Sequence, residues 1–199
     1  MSKLIIGTCN RGKLSEIKTI LGDVFYELMS LADFVDVDPP EENGLSYADN
    51  AIIKAQRYAT HTGLLTLADD SGLEVEALGW APGVFSARYA GEGASDEDRR
   101  ALLLSELAKS ELESRKAKFV CAVAIADSQG QIVNVSEGVC WGRINNRARG
   151  QAGFGYDPLF VPDGYTQTFA ELPEPVKNVI SHRGRALAKT REFLLSHKV

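Results

Sequence analysis

A glycine-bounded segment near the N-terminus, Gly7-Thr-Cys-Asn-Arg-Gly-Lys13, has the residue types of an anion-binding turn. It follows a short apolar run and precedes apolar residues at helical spacing, so it predicts a turn between a strand and a helix. The backbone N–H groups at a helix N-terminus attract anions, and Lys13 would add a full positive charge. The segment nearly matches the phosphate-binding loop G-x-x-x-x-G-K-[ST], but Leu14 stands where that loop has a magnesium-binding hydroxyl. We predict phosphate binding here, with an ordinary turn as the alternative.

Two adjacent carboxylates, Asp69 and Asp70, follow the apolar run Leu64–Ala68. The pattern predicts a buried strand that stops at Asp69, with both carboxylates at its C-terminal end. Neighbouring negative charges repel unless a cation relieves them, and Mg²⁺ commonly binds one or two carboxylates together with substrate phosphates. One carboxylate could instead act as a general base towards water, and a solvated turn is a third interpretation. Glu41 and Glu42 could add a metal ligand, although such a pair alone is typical of a charged surface.

An aromatic loop and a cationic cluster lie in the C-terminal quarter of the chain. In Phe154-Gly-Tyr-Asp157 glycines separate the aromatic rings, which suits a platform on which a base stacks. Lys177, His182 and Arg183 bring donors together before a predicted C-terminal helix, where they could recognise acceptor atoms of a ligand or bind phosphate. A lone histidine at a helix start is more often a cap or a surface residue. Residue chemistry alone therefore indicates a nucleotide phosphohydrolase or a kinase.

Alternating strands and helices must hold these segments. Strands are predicted at 3–8, 27–31, 64–68, 119–126, 132–140 and 159–161. One helix is predicted from Lys13, two begin at the capping boxes Ser46/Asp49 and Ser95/Asp98, and the last covers about 183–195. We predict an α/β protein with a mixed β-sheet and flanking helices. Its two lobes would surround a central nucleotide-binding cleft and form a single bilobed domain over residues 1–199.

Composition excludes several classes of protein. The 199 residues include 22 Lys and Arg against 27 Asp and Glu, a net charge of −5, and 44% are apolar. This is typical of a globular protein, and the negative charge disfavours nucleic-acid binding, which depends on excess cations. The three cysteines form no CxxC pair, and no segment approaches the roughly 20 apolar residues that span a bilayer. We expect reduced thiols, no membrane association and a cytoplasmic location.

Five motifs, taken in order, resemble the inosine triphosphate pyrophosphatase family, whose members are also known as XTP/dITP diphosphatases. The motifs are Thr8–Lys13, Ala68–Leu73, Ala81–Gly91, Gly153–Pro158 and Ser181–Gly184. Each is weak alone, but their order over nearly the whole chain is specific. The resemblance implies a Mg²⁺-dependent, homodimeric enzyme. Such an enzyme converts ITP, dITP and XTP to the monophosphate and pyrophosphate, which keeps these nucleotides out of DNA and RNA.

The resemblance also implies roles for single residues. It makes Asp70 the catalytic carboxylate, and Asp70 together with Glu42 the ligands of Mg²⁺. Lys54 would face the phosphates and Ser71 would contact the substrate. The phosphate-binding turn would comprise Thr8, Cys9, Asn10, Arg11, Gly12 and Lys13. The purine pocket would comprise Phe154, Gly155, Tyr156, Asp157, Lys177, His182 and Arg183.

Base selection would follow from hydrogen-bond polarity. Hypoxanthine and xanthine present a keto acceptor at position 6, whereas adenine presents an amino donor. Donors at Lys177, His182 or Arg183 would favour the keto bases, and sites of this kind discriminate by roughly 10⁴-fold. Trp80 stands where many relatives have a small residue, which places it on a loop or at a subunit interface.

Two other functions remain as alternatives. A kinase or switch protein with a phosphate-binding loop would use Asp69 and Asp70 as its second metal motif, and Leu14 argues against it. A non-catalytic nucleotide sensor would bind ITP without Mg²⁺ and without turnover. The products of an incubation with nucleotides distinguish all three.

Overall fold

The computed structural model describes residues 2–35 and 37–197, so Asp36 of the predicted acidic loop lies outside the described residues. The chain divides into two compact units. The first comprises the N-terminal segment that ends at Asp70, Cys121–Gly138, and the C-terminal segment from His182. The second comprises Ser71–Val120 and Val139–Ser181. The single bilobed domain stays a prediction.

Six strands form one mixed sheet. They are β1 Ser2–Ile6, β2 Tyr26–Ser30, β3 Thr66–Val75, β4 Lys116–Ala126, β5 Ile132–Ile144 and β6 Phe160–Pro162. Their order in the sheet is β2-β1-β3-β4-β5-β6. β1 pairs in parallel with both β2 and β3, whereas β5 and β6 are antiparallel. The predicted mixed sheet with flanking helices is confirmed.

Five α-helices accompany the sheet in the described ranges. They are α1 Arg11–Ile20, α2 Tyr47–Thr62, α3 Asp96–Lys109, α4 Glu174–Ile180 and α5 His182–Ser196. Both predicted capping boxes are present, Ser46 with Asp49 on α2 and Ser95 with Asp98 on α3. The sequence pattern did not predict α4, because seven residues are too few to establish a helical period. No helix among those described is long and apolar enough to cross a membrane.

The predicted end of the third strand at Asp69 is wrong. β3 continues through Asp69, Asp70, Ser71 and Gly72 to Val75. Both carboxylates are buried inside a strand instead of capping one. Hydrophobicity cannot identify such a strand, because buried cations and not apolar neighbours surround its charged residues.

In the first unit, helices cover both faces of the sheet. On one face, Leu67 of β3 packs in a cluster with residues of α1 and α5, including Ile17 and Leu187. On the other face, Ile5 of β1 packs against Tyr58 of α2. Because successive side chains of a strand point to opposite faces, Asp69 shares the face of Leu67, and Asp70 lies on the face towards α2.

The second unit has its own core. Phe119, Phe160 and Phe169 form an aromatic cluster, with ring centroids 4.8 Å apart between the first two and 5.0 Å between the last two. Leu103 and Leu107 of α3 pack against the same cluster. Each fully buried side chain of this size contributes about 1.5–3 kcal/mol to folding. This core fixes α3 and the loop before β6.

Candidate active site

The predicted phosphate-binding turn connects the end of β1 to the first turn of α1. The N–H of Gly7 donates to the carbonyl oxygen of Leu67 at 2.6 Å, and a Cβ at Gly7 would meet Cδ2 of Tyr58 at 2.8 Å. Only glycine permits this close approach of β1 to its neighbours. Asn10 is the N-cap of α1, and its side-chain oxygen accepts from the N–H of Lys13 at 3.1 Å. The turn therefore ends at a capped helix N-terminus, a geometry that suits an anion.

The turn is accessible, but it is not a phosphate-binding loop of the G-x-x-x-x-G-K-[ST] type. Leu14 is partly buried and packs against the core of the first unit. The position that carries a magnesium-binding hydroxyl in a phosphate-binding loop is therefore occupied here by a packing residue. Ser15 is exposed at the next position. Thr8 and Gly12 are half-buried, whereas Cys9, Asn10 and Arg11 are exposed. This geometry argues against the kinase or switch alternative.

Asp69 lies in a buried network of four charges. Its Oδ2 accepts from Nζ of Lys13 at 3.1 Å and from Nε and Nη2 of Arg183, both at 3.2 Å. Nη1 of Arg183 donates to Oε2 of Glu16 at 2.5 Å. Burial acts to raise the pKa of Asp69, but the surrounding cations, led by Lys13, hold that pKa well below its usual range. Asp69 is therefore a permanently charged partner of Lys13 and not a proton acceptor.

Asp70 has a different environment although it is the next residue. Nδ2 of Asn50 donates to Oδ2 of Asp70 at 3.2 Å, and Nζ of Lys54 lies 3.3 Å from Oδ1. The same ammonium lies 3.2 Å from Oε2 of Glu42. Burial raises the pKa of Asp70. The positive charges of Lys54 and Lys13 counteract part of this effect, and the net shift of the Asp70 pKa is upward. A carboxylate with a raised pKa in an active site suits general-base chemistry.

The side chains around Asp70 fit a hard divalent cation. The ammonium of Lys54 already bridges oxygens of Glu42 and Asp70, so the two carboxylates converge closely enough for one positive charge to contact both. Mg²⁺ prefers oxygen ligands and is commonly held by one or two carboxylates together with phosphates. Glu41, the alternative ligand, is exposed. Residues 2–35 and 37–197 contain no cluster of three or more His, Cys, Asp or Glu side chains around a common metal position.

The aromatic loop of the second unit is a tight turn beside a buried lysine. The N–H of Asp157 donates to the carbonyl oxygen of Phe154 at 3.1 Å. Oδ2 of Asp157 accepts from the N–H of Phe154 at 3.0 Å and from Nζ of Lys177 at 2.6 Å. Nζ of Lys177 lies 5.3 Å from the ring centroid of Phe154, and Tyr156 is buried with its hydroxyl donating to the carbonyl oxygen of Ser86 at 3.0 Å. A half-buried ring and a buried ammonium therefore lie side by side.

The predicted site residues fall into two groups, one in each unit. The first unit brings together side chains of the phosphate and metal predictions, which are Lys13, Glu42, Lys54 and Asp70. The second unit brings together Phe154, Asp157 and Lys177. Ser71 is half-buried and His182 is buried at the start of α5. The guanidinium of Arg183 lies in the network around Asp69, and its predicted contact with the base stays a prediction.

Two residues of these networks were not predicted. Asn50 connects the acidic loop to Asp70, because its side-chain oxygen accepts from the N–H of Gly44 at 2.8 Å while its amide donates to the carboxylate. Asn50 is four residues before Lys54 on α2, so helical spacing could have identified it as a neighbour on the same face. Glu16 lies three residues after Lys13 on α1, and the same rule applies to it.

Known proteins are similar to this chain over most of its length. A sequence model of the Ham1 family matches residues 4–193. The chain is 49% identical over 192 residues to a dITP/XTP pyrophosphatase of Desulforamulus reducens, covering 96% of this chain and 95% of that protein. It is 48% identical over 194 residues to a dITP/XTP pyrophosphatase of Geobacter sulfurreducens, covering 98% and 97%.

Solved structures show the same fold. The structure of a HAM1 protein from Coxiella burnetii is 39% identical and has a TM-score of 0.91, covering 99% of this chain and 100% of that one. The Ham1 protein of Staphylococcus aureus is 36% identical and has a TM-score of 0.86 over the same shares. These likenesses extend over almost the whole chain and confirm the resemblance that the five motifs indicated. The chain belongs to the Ham1 family.

Proposed function

We propose that the protein hydrolyses the non-canonical purine nucleoside triphosphates ITP, dITP and XTP to the monophosphate and pyrophosphate. The observation that carries the proposal is the convergence of two lysines, Lys13 and Lys54, on the adjacent buried carboxylates Asp69 and Asp70. Cations that can bind a polyphosphate therefore lie beside a buried carboxylate that can accept a proton. The similarity to dITP/XTP pyrophosphatases supports the same substrate class. Such hydrolysis would prevent incorporation of these nucleotides into DNA and RNA.

Lys13 and Lys54 bind the triphosphate in this proposal. Both ammonium groups pair with carboxylates, at 3.1 and 3.3 Å, and a polyphosphate offers them partners with more charge. The N–H groups of the turn at the start of α1 add the attraction of a helix N-terminus. Because Arg183 also pairs with Asp69, that carboxylate keeps a counter-charge when Lys13 turns towards phosphate.

Asp70 receives the proton of the attacking water. Water attacks the α-phosphorus, the bond between that phosphorus and the bridging oxygen breaks, and pyrophosphate leaves. Asn50 holds Oδ2 of Asp70 in place during this step. Glu42 and Asp70 are the residues that would hold Mg²⁺, which supplies positive charge against the triphosphate.

The loop of the second unit binds the purine base. Phe154 offers a stacking surface, and the ammonium of Lys177 beside it can donate to a keto oxygen at position 6. The 6-amino group of adenine would place a donor against that donor, and such mismatches reduce specificity constants by roughly 10⁴-fold. Contacts of His182 and Arg183 with the base stay predictions.

We further propose that the protein is a homodimer that acts in the cytoplasm, as the resemblance implies. Light scattering after size-exclusion chromatography should then give about twice the chain mass of 21.6 kDa. A monomer over the whole micromolar concentration range would contradict this part of the proposal.

The function is tested by incubation with ITP, dITP, XTP, GTP and ATP, with Mg²⁺ and with a chelator. Pyrophosphate should form from the first three, depend on the divalent ion, and form much more slowly from ATP. Equal turnover of ATP and ITP, or orthophosphate as the only product, would reject the proposal. Binding of ITP without turnover would favour the sensor alternative.

A substitution of Asp70 tests its proposed role as the proton acceptor. Asp70→Asn should abolish turnover while ITP still binds, because the amide keeps the shape of the side chain but cannot accept a proton. Asp163→Asn, at an exposed position, is the control and should retain full activity. Near-complete activity of Asp70→Asn would show that another group takes the proton.

A further inference from the structure

Helix α3 holds both backbone hydrogen-bonding groups of Gly155, in the proposed base-binding loop. The N–H of Gly155 donates to Oδ2 of Asp96 at 2.6 Å, and its carbonyl oxygen accepts from Nη1 of Arg100 at 2.8 Å. Both side chains come from the first two turns of α3. They are 59 and 55 residues away in sequence from the loop that they hold. The N–H and the carbonyl of one residue belong to successive peptide groups, so these contacts orient the peptides on both sides of Gly155.

The contact is itself anchored within the second unit. The carboxylate of Asp96 pairs with Arg99, and the guanidinium of Arg99 also donates to the carbonyl oxygens of Ala87 at 2.9 Å and Ala94 at 2.8 Å. Burial acts to raise the pKa of Asp96, but Arg99 and the N–H of Gly155 outweigh it and lower the pKa. The acceptor for Gly155 is therefore a charged group that cannot rotate freely.

Because Gly155 is conformationally free, its hydrogen bonds to α3 restrict the backbone of the loop. The φ of Gly155 is +59°, in the left-handed region, and no side chain restricts it. The rest of the loop is tied through Asp157 to Lys177, as described above. Phe154 directly precedes Gly155, and its own N–H donates to Asp157. The backbone position of Phe154 therefore depends on the contacts of Gly155 as well as on the Asp157 turn.

We propose that Asp96 and Arg100 are positioning residues for base selection: by clamping the backbone N–H and carbonyl of Gly155 they position the adjacent Phe154, on which the purine stacks. The inference rests on the proposed function, since it assumes that the loop binds the base. Both side chains bind the backbone of Gly155, so they act through the loop and are not catalytic residues. Loss of the clamp should weaken recognition of the base and leave recognition of the phosphates unchanged.

Four variants test the clamp. Asp96→Ala and Arg100→Met each remove one hydrogen bond to Gly155, whereas Asp96→Asn and Arg100→Lys keep an acceptor or a donor in place. Lys109→Met removes a positive charge from the exposed end of the same helix and is the control. The readouts are KM and kcat for ITP and ATP, and the inhibition constant of inorganic tripolyphosphate, which has no base.

For Asp96→Ala and Arg100→Met we expect about a tenfold rise in KM for ITP, because a loop that has lost one charge-assisted hydrogen bond populates its binding conformation less, and the apparent affinity falls by the same fraction. The kcat/KM ratio of ITP to ATP should fall, and tripolyphosphate inhibition should stay within about twofold of wild type. The conservative variants should recover most of the ratio, and Lys109→Met should match wild type.

Other results would overturn the inference. An unchanged ITP to ATP ratio in folded variants would show that the clamp does not act on the base. Equal losses for ITP and tripolyphosphate would indicate a general structural defect. If one of Asp96→Ala and Arg100→Met fails to fold, the other decides the question, because each removes one hydrogen bond to Gly155. If both fail to fold, the clamp serves folding and not base selection, which also overturns the inference. Failure of wild-type protein to hydrolyse ITP would instead reject the proposed function, so the two failures are distinguishable.

Discussion

At the scale of residues, two neighbouring carboxylates have opposite properties because a strand directs them to opposite faces. Asp69 faces α1 and α5, where Lys13 and Arg183 lower its pKa. Asp70 faces α2, where burial raises its pKa. One group is thereby suited to holding a lysine and the other to accepting a proton. This division follows from the alternation of side chains along β3.

Asn50 should prove important for the use of Mg²⁺. Asn50→Ala removes the hydrogen bonds to Gly44 and Asp70, so both the acidic loop and the carboxylate lose their support. We expect the Mg²⁺ concentration for half-maximal activity to rise about 10- to 100-fold, as for other residues that orient metal ligands. Direct Mn²⁺ binding, followed by calorimetry, should weaken similarly. Arg57→Ala, on the exposed side of α2, is the control, and equal behaviour of both variants would contradict the role.

Arg183 should contribute strongly to stability. Arg183→Met leaves Asp69 and Glu16 with fewer cationic partners in a buried site, and breaking such pairs costs about 3–5 kcal/mol. Urea unfolding measures the change in free energy. Arg191 lies on the same helix as Arg183 and forms an exposed pair with Asp23. Breaking this pair by Arg191→Met should have a much smaller effect on the free energy of unfolding. Similar losses in both variants would show that the buried network has no special role.

At the scale of elements, two capped helices carry the supporting residues of the two proposed subsites. Ser46 is the N-cap of α2, and Asn50 and Lys54 lie four and eight residues after it. Ser95 is the N-cap of α3, and Asp96 and Arg100 lie one and five residues after it. The capping boxes therefore fix the N-terminus of each helix, close to the side chains that support the proposed subsites.

The two caps should have separable effects. Ser46→Ala and Ser95→Ala should each destabilise the protein by about 1 kcal/mol. The first should raise the Mg²⁺ requirement without changing the ITP to ATP ratio, and the second should lower that ratio without changing the Mg²⁺ requirement. Each variant is the control for the other. If both change both quantities equally, the helices do not support distinct subsites.

At the scale of the whole molecule, the chain has a net charge of −5, yet each of its two units contains buried cations. Lys13, Lys54, Lys177 and Arg183 are all buried or largely buried, and each is paired with a carboxylate. These paired cations can exchange a carboxylate for a small anion, whereas the acidic surface repels a long polyanion.

Ligand-linked stabilisation tests this distinction. The inactive variant Asp70→Asn should be stabilised by ITP with Mg²⁺, by about 2.7 kcal/mol at 100 times the dissociation constant. Duplex DNA at the same phosphate concentration should leave the melting temperature unchanged. Thermal unfolding measures both, and stabilisation by DNA equal to that by ITP would contradict the charge argument.

The sequence by itself determined the elements and the types of residue that carry chemistry. Capping boxes, apolar periods and the turn before Lys13 predicted α1, α2, α3 and α5 and most of the strands, because these signals depend on neighbours within a few residues. The family motifs are also short stretches of sequence, and they identified the candidate residues for binding phosphate, metal and base.

Tertiary structure decided what those residues contact. Asp69 and Asp70 were predicted at a strand end, yet they lie within β3, since cations 56 and 114 residues away, Lys13 and Arg183, neutralise Asp69. The pairing of Arg183 with Asp69 and the clamp of Asp96 and Arg100 on Gly155 also join distant segments. Charge pairs of this kind have no local period, so only the folded chain shows which carboxylate meets which cation.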